Sequence, residues 1–132
     1  MTKVLIIEDD IVNCIVYKAI LIDDDTKLDF AYDGKDGINK YLQNSYDLLL
    51  LDMGLPDMEG HLIASVIREF ESKDSKPALP IIVVSADNSI DKQAKAFEAG
   101  VDRYLTKPIN KNQLMTTIKE LLPGQDIITI TQ

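Results

Sequence analysis

Five residues at four places in the sequence carry groups able to do chemistry together: Glu8 and Asp9, then Asp52, Ser85 and Lys107. Each place closes a short apolar segment. Val4 to Ile7 runs into Glu8-Asp9-Asp10, Leu48 to Leu51 into Asp52, the Pro80 segment into Ser85, and the Asp102 segment into Lys107. Carboxylates crowded together repel one another unless a cation shares them. Glu8, Asp9 and Asp52 would make an oxygen-only set, with no His or Cys beside them in sequence. Hard oxygen donors suit Mg2+ or Mn2+ rather than zinc. Lys107 adds a point charge able to hold a phosphoryl oxygen, and Ser85 adds a hydroxyl donor. A carboxylate nucleophile, a divalent ion, a lysine and a hydroxyl are together what phosphoryl transfer to an aspartate requires. Read by itself, Asp52 is equally a turn residue or helix cap before Met-Gly-Leu-Pro-Asp.

These groups act together only if the chain sets them on one rim. Leu48 to Leu51 is an apolar run too short for a helix, so it reads as a strand buried on both faces, within a third strand over 47–52. Val4 to Ile7 reads as the first strand, Lys27 to Tyr32 as the second, Pro80 to Ser85 as the fourth and Asp102 to Thr106 as the fifth. Apolar residues recur at helical spacing between them. The sets are Ile11, Ile15, Tyr17, Ile20 and Leu21, then Ile38, Tyr41 and Leu42. In the third helix, 61–71, Leu62, Val66, Ile67 and Phe70 are expected to face inward. Ile90, Ala94 and Phe97 mark the fourth, and Leu114, Ile118, Leu121 and Leu122 the last. Asn88 or Ser89 caps the fourth helix, which stops at Gly100, and Asn110 with Gln113 resembles a capping box. Lys73 to Leu79 reads as a loop, and Pro123-Gly124 stops the last helix. Asp23-Asp24-Asp25 is a solvated loop without the spacing of a calcium site. Strands alternating with helices predict a three-layer α/β sandwich around a five-stranded parallel sheet. Right-handed crossovers then place every strand-to-helix turn on one rim, with Glu8-Asp9-Asp10, Asp52, Ser85-Ala86-Asp87 and Lys107.

The totals exclude several classes. A chain of 132 residues is one domain, able to bury about two thirds of its unfolded surface. A net charge of −8 argues against direct nucleic-acid contact and against anionic membrane surfaces. No stretch is long and apolar enough to span a bilayer, and the first apolar run is cut short by acids, so it does not read as a signal peptide. Cys14 is alone, which excludes an intrachain disulfide and fits a reducing cytoplasm.

Four motifs carry a resemblance over roughly residues 3 to 122: the pair Glu8-Asp9, LLLLDMGLPDMEG, VVSA and YLTKP. Together they resemble the receiver domain of the response-regulator family. The resemblance implies a flavodoxin-like, doubly wound (βα)5 fold, with a receiver over 1–123 and a tail over 124–132. It implies that Asp52 accepts phosphate from a phosphohistidine on a histidine kinase or histidine phosphotransfer protein. Asp9 and Asp52 would ligate Mg2+, Glu8 would act through water, and the Gly54 carbonyl would complete the protein ligands. Ser85 would bond the phosphoryl group, Lys107 would pair with it, and Tyr104 would be the rotamer switch. Lys107-Pro108 would be a cis peptide. The domain would catalyse its own phosphorylation and dephosphorylation without being a turnover enzyme. It would meet a downstream protein through its fourth helix, fifth strand and fifth helix.

Two positions depart from the family pattern. Glu8 stands where many members have Asp, and Gly54 offers no side chain where most have a bulkier one. The pattern from Glu8 to Asn13 is similar to receivers of hybrid kinases, which points to a phosphorelay. No output domain follows residue 132, so action through protein contacts, or excision from a longer chain, is expected. An aspartyl phosphohydrolase of the haloacid dehalogenase type would need an Asp at position 54. A flavin or nucleotide binder would need a phosphate loop in place of Glu8-Asp9-Asp10. A receiver acting only as an inert interaction module would not need the full acid, hydroxyl and lysine set. Without the resemblance Tyr104 is a packed strand aromatic, His61 an exposed residue at a helix start, Cys14 a small buried hydrophobe, and Lys92 and Lys95 a solvated helix face. The tail's alternation of Ile127, Ile128 and Ile130 fits an edge strand, a partner-binding segment or a frayed end.

Overall fold

Apolar runs without a polar face are satisfied only by burial on both sides, and the chain achieves this with a parallel sheet. The computed structural model describes residues 1–123. Its elements are β1 (Thr2–Ile7), α1 (Ile11–Leu21), β2 (Thr26–Ala31), α2 (Gly34–Gln43), β3 (Leu48–Leu51), α3 (Gly60–Asp74), β4 (Ile81–Ser85), α4 (Ile90–Glu98), β5 (Arg103–Thr106) and α5 (Lys111–Leu121). The strands form one sheet of order β2-β1-β3-β4-β5, and every neighbouring pair is parallel. This is the expected flavodoxin-like, three-layer arrangement. The strand order reverses between β1 and β3, the switch point where such sheets hold ligands.

Alternation along the strands divides the core in two. Leu5, Ile7, Leu49, Leu51, Ile81 and Val83 point to one face and pack with Ile63, Ala64 and Ile67 of α3. Val4, Ile6, Leu48, Leu50, Ile82 and Val84 point to the other and pack with Tyr17, Leu21, Leu114 and Ile118 of α1 and α5. The register aligns Ile7 with Leu51, Leu51 with Val83, and Ser85 with Thr106. The residues that follow, or close, these strands therefore emerge on one rim.

Side-chain caps set where the helices begin. Asp10 accepts from Val12 N–H at 2.9 Å, Asp33 from Asp36 N–H at 2.8 Å, and Asn110 from Gln113 N–H at 2.9 Å. Ser89, rather than Asn88, caps α4 by accepting from Lys92 N–H at 3.2 Å. α3 runs past its expected end to Asp74 and stops at Ser75, whose φ of 54° is left-handed, so the loop expected from Lys73 starts at Ser75.

Three helices are rotated from the expected phase. In α3 the buried residues are Gly60, Ile63, Ala64, Ile67 and Glu71, while Leu62 is exposed and Val66 and Phe70 only half-buried. The cause is Gly60, which packs against the Asp52 backbone and fixes the rotation. In α1 the sheet takes Cys14, Tyr17 and Leu21, leaving Ile11 and Ile15 about 60% exposed. α4 buries Ala96 and leaves Ile90 and Phe97 exposed. The readings made for the tail, 124–132, lie outside the described residues.

Candidate functional site

The rim assembles around the end of β3. Asp52 is buried, and its N–H donates to the Ile7 carbonyl at 3.0 Å, so the β1–β3 ladder continues to the residue itself. Its Oδ1 accepts from Gly54 N–H at 3.3 Å, and its Oδ2 lies 3.5 Å from Lys107 Nζ. The next strand supplies Glu8, which is 1% exposed, and Asp9, which is exposed. Glu8, Asp9 and Asp52 each offer a carboxylate oxygen within 4.8 Å of the others. Asp10 does not join them, because its carboxylate caps α1.

Glu8 is an unusual carboxylate. Its Oε2 accepts from Asp10 N–H at 3.1 Å, and its Oε1 lies 2.7 Å from Lys107 Nζ. That ion pair with Lys107 is the contact that holds the buried Oε1. Burial pushes the Glu8 carboxyl up to about 7, against the opposing pull of Lys107. Burial alone would lower the Lys107 ammonium, but Glu8 and Asp52 outweigh it and hold the ammonium above its usual value. Cys14 Sγ sits 3.6 Å from the Glu8 carbonyl, but burial pushes its thiol up to about 11 and keeps it out of the ligand set.

Ser85 and Tyr104 converge on the backbone of one residue, Asp87. Ser85 Oγ accepts from Asp87 N–H at 3.2 Å, and Tyr104 Oη donates to the Asp87 carbonyl. The Tyr104 ring, half-buried, packs against the α3 side of the core. Lys107 N–H donates to the Ser85 carbonyl at 2.8 Å, and Lys107-Pro108 is cis as expected. Asp52, Gly54, Ser85, Lys107, Glu59 and Lys92 line a cleft of about 350 Å³.

Three acids escaped the sequence reading, two beside the rim and one at the opposite end of the sheet. Asp57 accepts from Gly34 N–H at 2.7 Å and Lys35 N–H at 2.9 Å, tying the loop after Asp52 to the start of α2. These two bonds hold its carboxyl below the ordinary value. Glu59 takes Lys92 Nζ at 2.7 Å, and its other oxygen lies 3.4 Å from His61 Nδ1. His61 is therefore 16% exposed rather than a free surface residue, and Lys92 is a paired residue, whereas Lys95 is exposed as expected. Buried Glu71 accepts from Arg68 at 2.9 Å and from Leu79 N–H at 2.6 Å. Asp57 and Glu59 are visible as acids in the sequence, but their partners lie 23 and 33 residues away, beyond any local spacing.

The profile of the response regulator receiver domain matches residues 4–119. The chain belongs to this family. Among curated relatives, the hybrid signal transduction histidine kinase L of Dictyostelium discoideum is 34% identical over 121 residues, covering 89% of this chain and 7% of that protein. The regulatory protein VanRB of Enterococcus faecalis is 33% identical over 120 residues, covering 91% of the chain and 52% of that protein. The receiver thus spans about half or less of the length of these relatives. A two-component response regulator from Clostridium difficile superposes with a TM-score of 0.85 at 31% identity, covering 96% of this chain and 99% of that one. The receiver domain of sensor histidine kinase PA1611 from Pseudomonas aeruginosa, solved with magnesium in its active-site cleft, gives 0.79 at 26% identity over 91% of this chain and 96% of that one. Receivers are the phosphoacceptor switches of two-component signalling and meet histidine kinases or phosphotransfer proteins and downstream effectors. They generally bind Mg2+, and the acid cluster here has the hard-oxygen composition such an ion prefers. No helix among the described residues is long and apolar enough to cross a membrane.

Proposed function

We propose that Asp52 is the phosphoacceptor of this receiver and that Ser85, Tyr104 and Lys107 carry the signal from it. One observation bears most of the weight. The Asp52 carboxylate ends the central buried strand with one oxygen on Gly54 N–H, the other beside Lys107, and the cleft open before it. A carboxylate oxygen attacks phosphorus in line, the P–O bond to Asp52 forms as the P–N bond to a donor histidine breaks, and the imidazole leaves with the bonding pair. Lys107 is placed to hold a phosphoryl oxygen. Glu8, Asp9, Asp52 and the Gly54 carbonyl are the groups that would hold Mg2+ or Mn2+. The fit rests on three clustered carboxylates whose oxygens lie within 4.8 Å of one another. When bound, the ion neutralises charge on the transferring phosphoryl oxygens.

The switch works through the Asp87 backbone. A phosphoryl oxygen accepting from the Ser85 hydroxyl draws Oγ toward itself and pulls on the Asp87 N–H that donates to Oγ, while Tyr104 holds the carbonyl of the same residue. Movement of that backbone reaches α4, whose exposed Ile90 and Phe97 offer an apolar surface for a downstream protein beside β5 and α5. The exposed Ile11, Val12 and Ile15 of α1 adjoin the acidic rim and suit the protein that delivers the phosphohistidine. Self-dephosphorylation is slow in this reading, because Gly54 has no side chain to orient water and no atom lies within 4 Å of where its Cβ would be. The receiver occupies 1–123, the segment 124–132 is an appended tail, and the free Cys14 supports a reducing, cytoplasmic setting.

The test is incubation with acetyl phosphate and Mg2+, followed by intact mass. Wild type gains one phosphoryl group, and Asp52→Asn stays folded and gains none. Undiminished uptake by Asp52→Asn overturns the assignment.

A further inference from the structure

The mouth of the Asp52 cleft carries a basic residue for which the chemistry above has no use. Lys92, in the first turn of α4, and Glu59, just before α3, line the cleft together with Asp52 and Lys107. Lys92 Nζ is 2.7 Å from Glu59 Oε1. Glu59 occupies the position before α3 where a carboxylate ordinarily accepts the helix's own N–H groups, yet it makes no such bond. It reaches across to α4 instead. A backbone bridge to Gly54 fixes it beside the phosphoacceptor loop. The two side chains are 47% and 29% exposed, and ion pairs so open to water add little to stability. The pair therefore has little to do for the fold, while it sets an ammonium at the entrance to the reaction cleft.

We propose that Lys92 is a second cation for the transferring phosphoryl group, held at the cleft mouth by Glu59 until a phosphoryl oxygen displaces that carboxylate. The inference rests on Asp52 being the phosphoacceptor. Lys107 is already shared between Glu8 and Asp52, so an incoming phosphoryl group meets one committed ammonium and several carboxylates. A phosphoryl group carries more negative charge than a carboxylate and outcompetes Glu59 for a mobile ammonium. Lysine suits this exchange, being a compact charge on a flexible four-carbon stem with three rotatable donors. α4 presents its N-terminal end, and hence the positive end of its dipole, at the same mouth. Lys92 makes and breaks no covalent bond; it exchanges one anionic partner for another.

Removing either member of a purely structural tie has the same consequence, whereas removing the cation and removing its competitor have opposite ones. The experiment therefore measures phosphorylation of the full chain by acetyl phosphate in Mg2+, with wild type, Lys92→Gln, Glu59→Gln, the double variant and Lys92→Arg. Lys92→Gln is expected to slow phosphorylation about fivefold, the factor from one unit charge at about 4 Å in a water-like dielectric. Glu59→Gln is expected to quicken it, the double variant to follow Lys92→Gln, and Lys92→Arg to stay near wild type. The differences shrink at high salt. Thermal melts verify that each variant is folded. Shifts of the same sign in both single variants, or no shift in either, overturn the proposal and leave the pair a surface tie between α3 and α4. Failure of wild type to be labelled at Asp52 is a separate result, which removes the phosphoacceptor reading itself.

Discussion

Gly60→Ala tests whether the position of Asp52, the proposed phosphoacceptor, depends on the start of α3. A Cβ on Gly60 would lie 2.3 Å from the Asp52 carbonyl oxygen and 2.9 Å from Met53 Cα. Both neighbours are backbone, so no flexible side chain can yield. Gly60 N–H donates to the Met53 carbonyl at 2.8 Å and Asp52 N–H to the Ile7 carbonyl at 3.0 Å, which holds both sides of the contact. Opening 2.3 Å to a tolerable 3.0 Å separates Asp52 from α3 by about 0.7 Å. Overpacking of this kind costs about 1–3 kcal/mol. The better helix propensity of alanine returns at most about 1 kcal/mol, and less at the first residue of a helix. A net loss of about 1–2 kcal/mol is expected by urea unfolding. Because a misplacement of about 1 Å can cost about a hundredfold in rate, acetyl phosphate labelling is expected to slow at least about tenfold. Gly54→Ala is the control: nothing lies within 4 Å of its Cβ, so stability stays within about 0.5 kcal/mol of wild type. A Gly60→Ala protein matching wild type in both assays would refute the reasoning, as would greater damage from Gly54→Ala.

Three further outcomes follow from the geometry. Mg2+ at a hundred times its dissociation constant is expected to stabilise wild type by about 2.7 kcal/mol, with a smaller rise in Tm for Asp9→Ala; equal rises in both would remove Asp9 from the metal site. Asp57 has a folded pKa below its ordinary 3.8, so its stabilising contribution is present above that value and is lost as pH falls through the folded pKa. Wild type is therefore expected to lose more stability than Asp57→Asn between pH 5 and strong acid, and parallel pH profiles of unfolding would contradict the clamp on α2. Glu71→Ala strips acceptors from Arg68 and from Leu79 N–H, so urea unfolding should show a loss of about 2–3 kcal/mol, against a smaller loss for Glu71→Gln, which keeps an acceptor; near-wild-type stability in Glu71→Ala would count against it.

The rim residues were legible because each directly follows, or closes, a strand. Apolar runs such as Leu48 to Leu51 mark strands by length alone, and parallel register then sets their ends level. Glu8, Asp52, Ser85 and Lys107 need no further information to meet. Loop acids are different. Asp57 and Glu59 find partners on α2 and α4 only once separate strand-to-helix turns are brought side by side, and no local period encodes that. His61 was misread for the same reason, since its neighbour Glu59 is held by the α4 contact.

Helix rotation failed for another cause, and the failure carries information. α1 has more apolar residues than one face can hold: Cys14, Tyr17 and Leu21 on the sheet, and Ile11, Val12, Ile15 and the adjoining Ile22 in water. Periodicity sees two apolar arcs and cannot tell which one the sheet selects. α4 shows the same surplus, burying Ala96 while Ile90 and Phe97 stay out. Large apolar side chains left in water are unfavourable unless another surface covers them. Both helices begin at the rim, α1 just after Glu8-Asp9 and α4 just after Ser85. In the function proposed above, a phosphodonor reaches the first of these places and the phosphorylation signal leaves through the second. The rotation of α3 follows from the close approach of Gly60 to Asp52, whereas on the proposed function the apolar surpluses of α1 and α4 are where the receiver accommodates a second molecule.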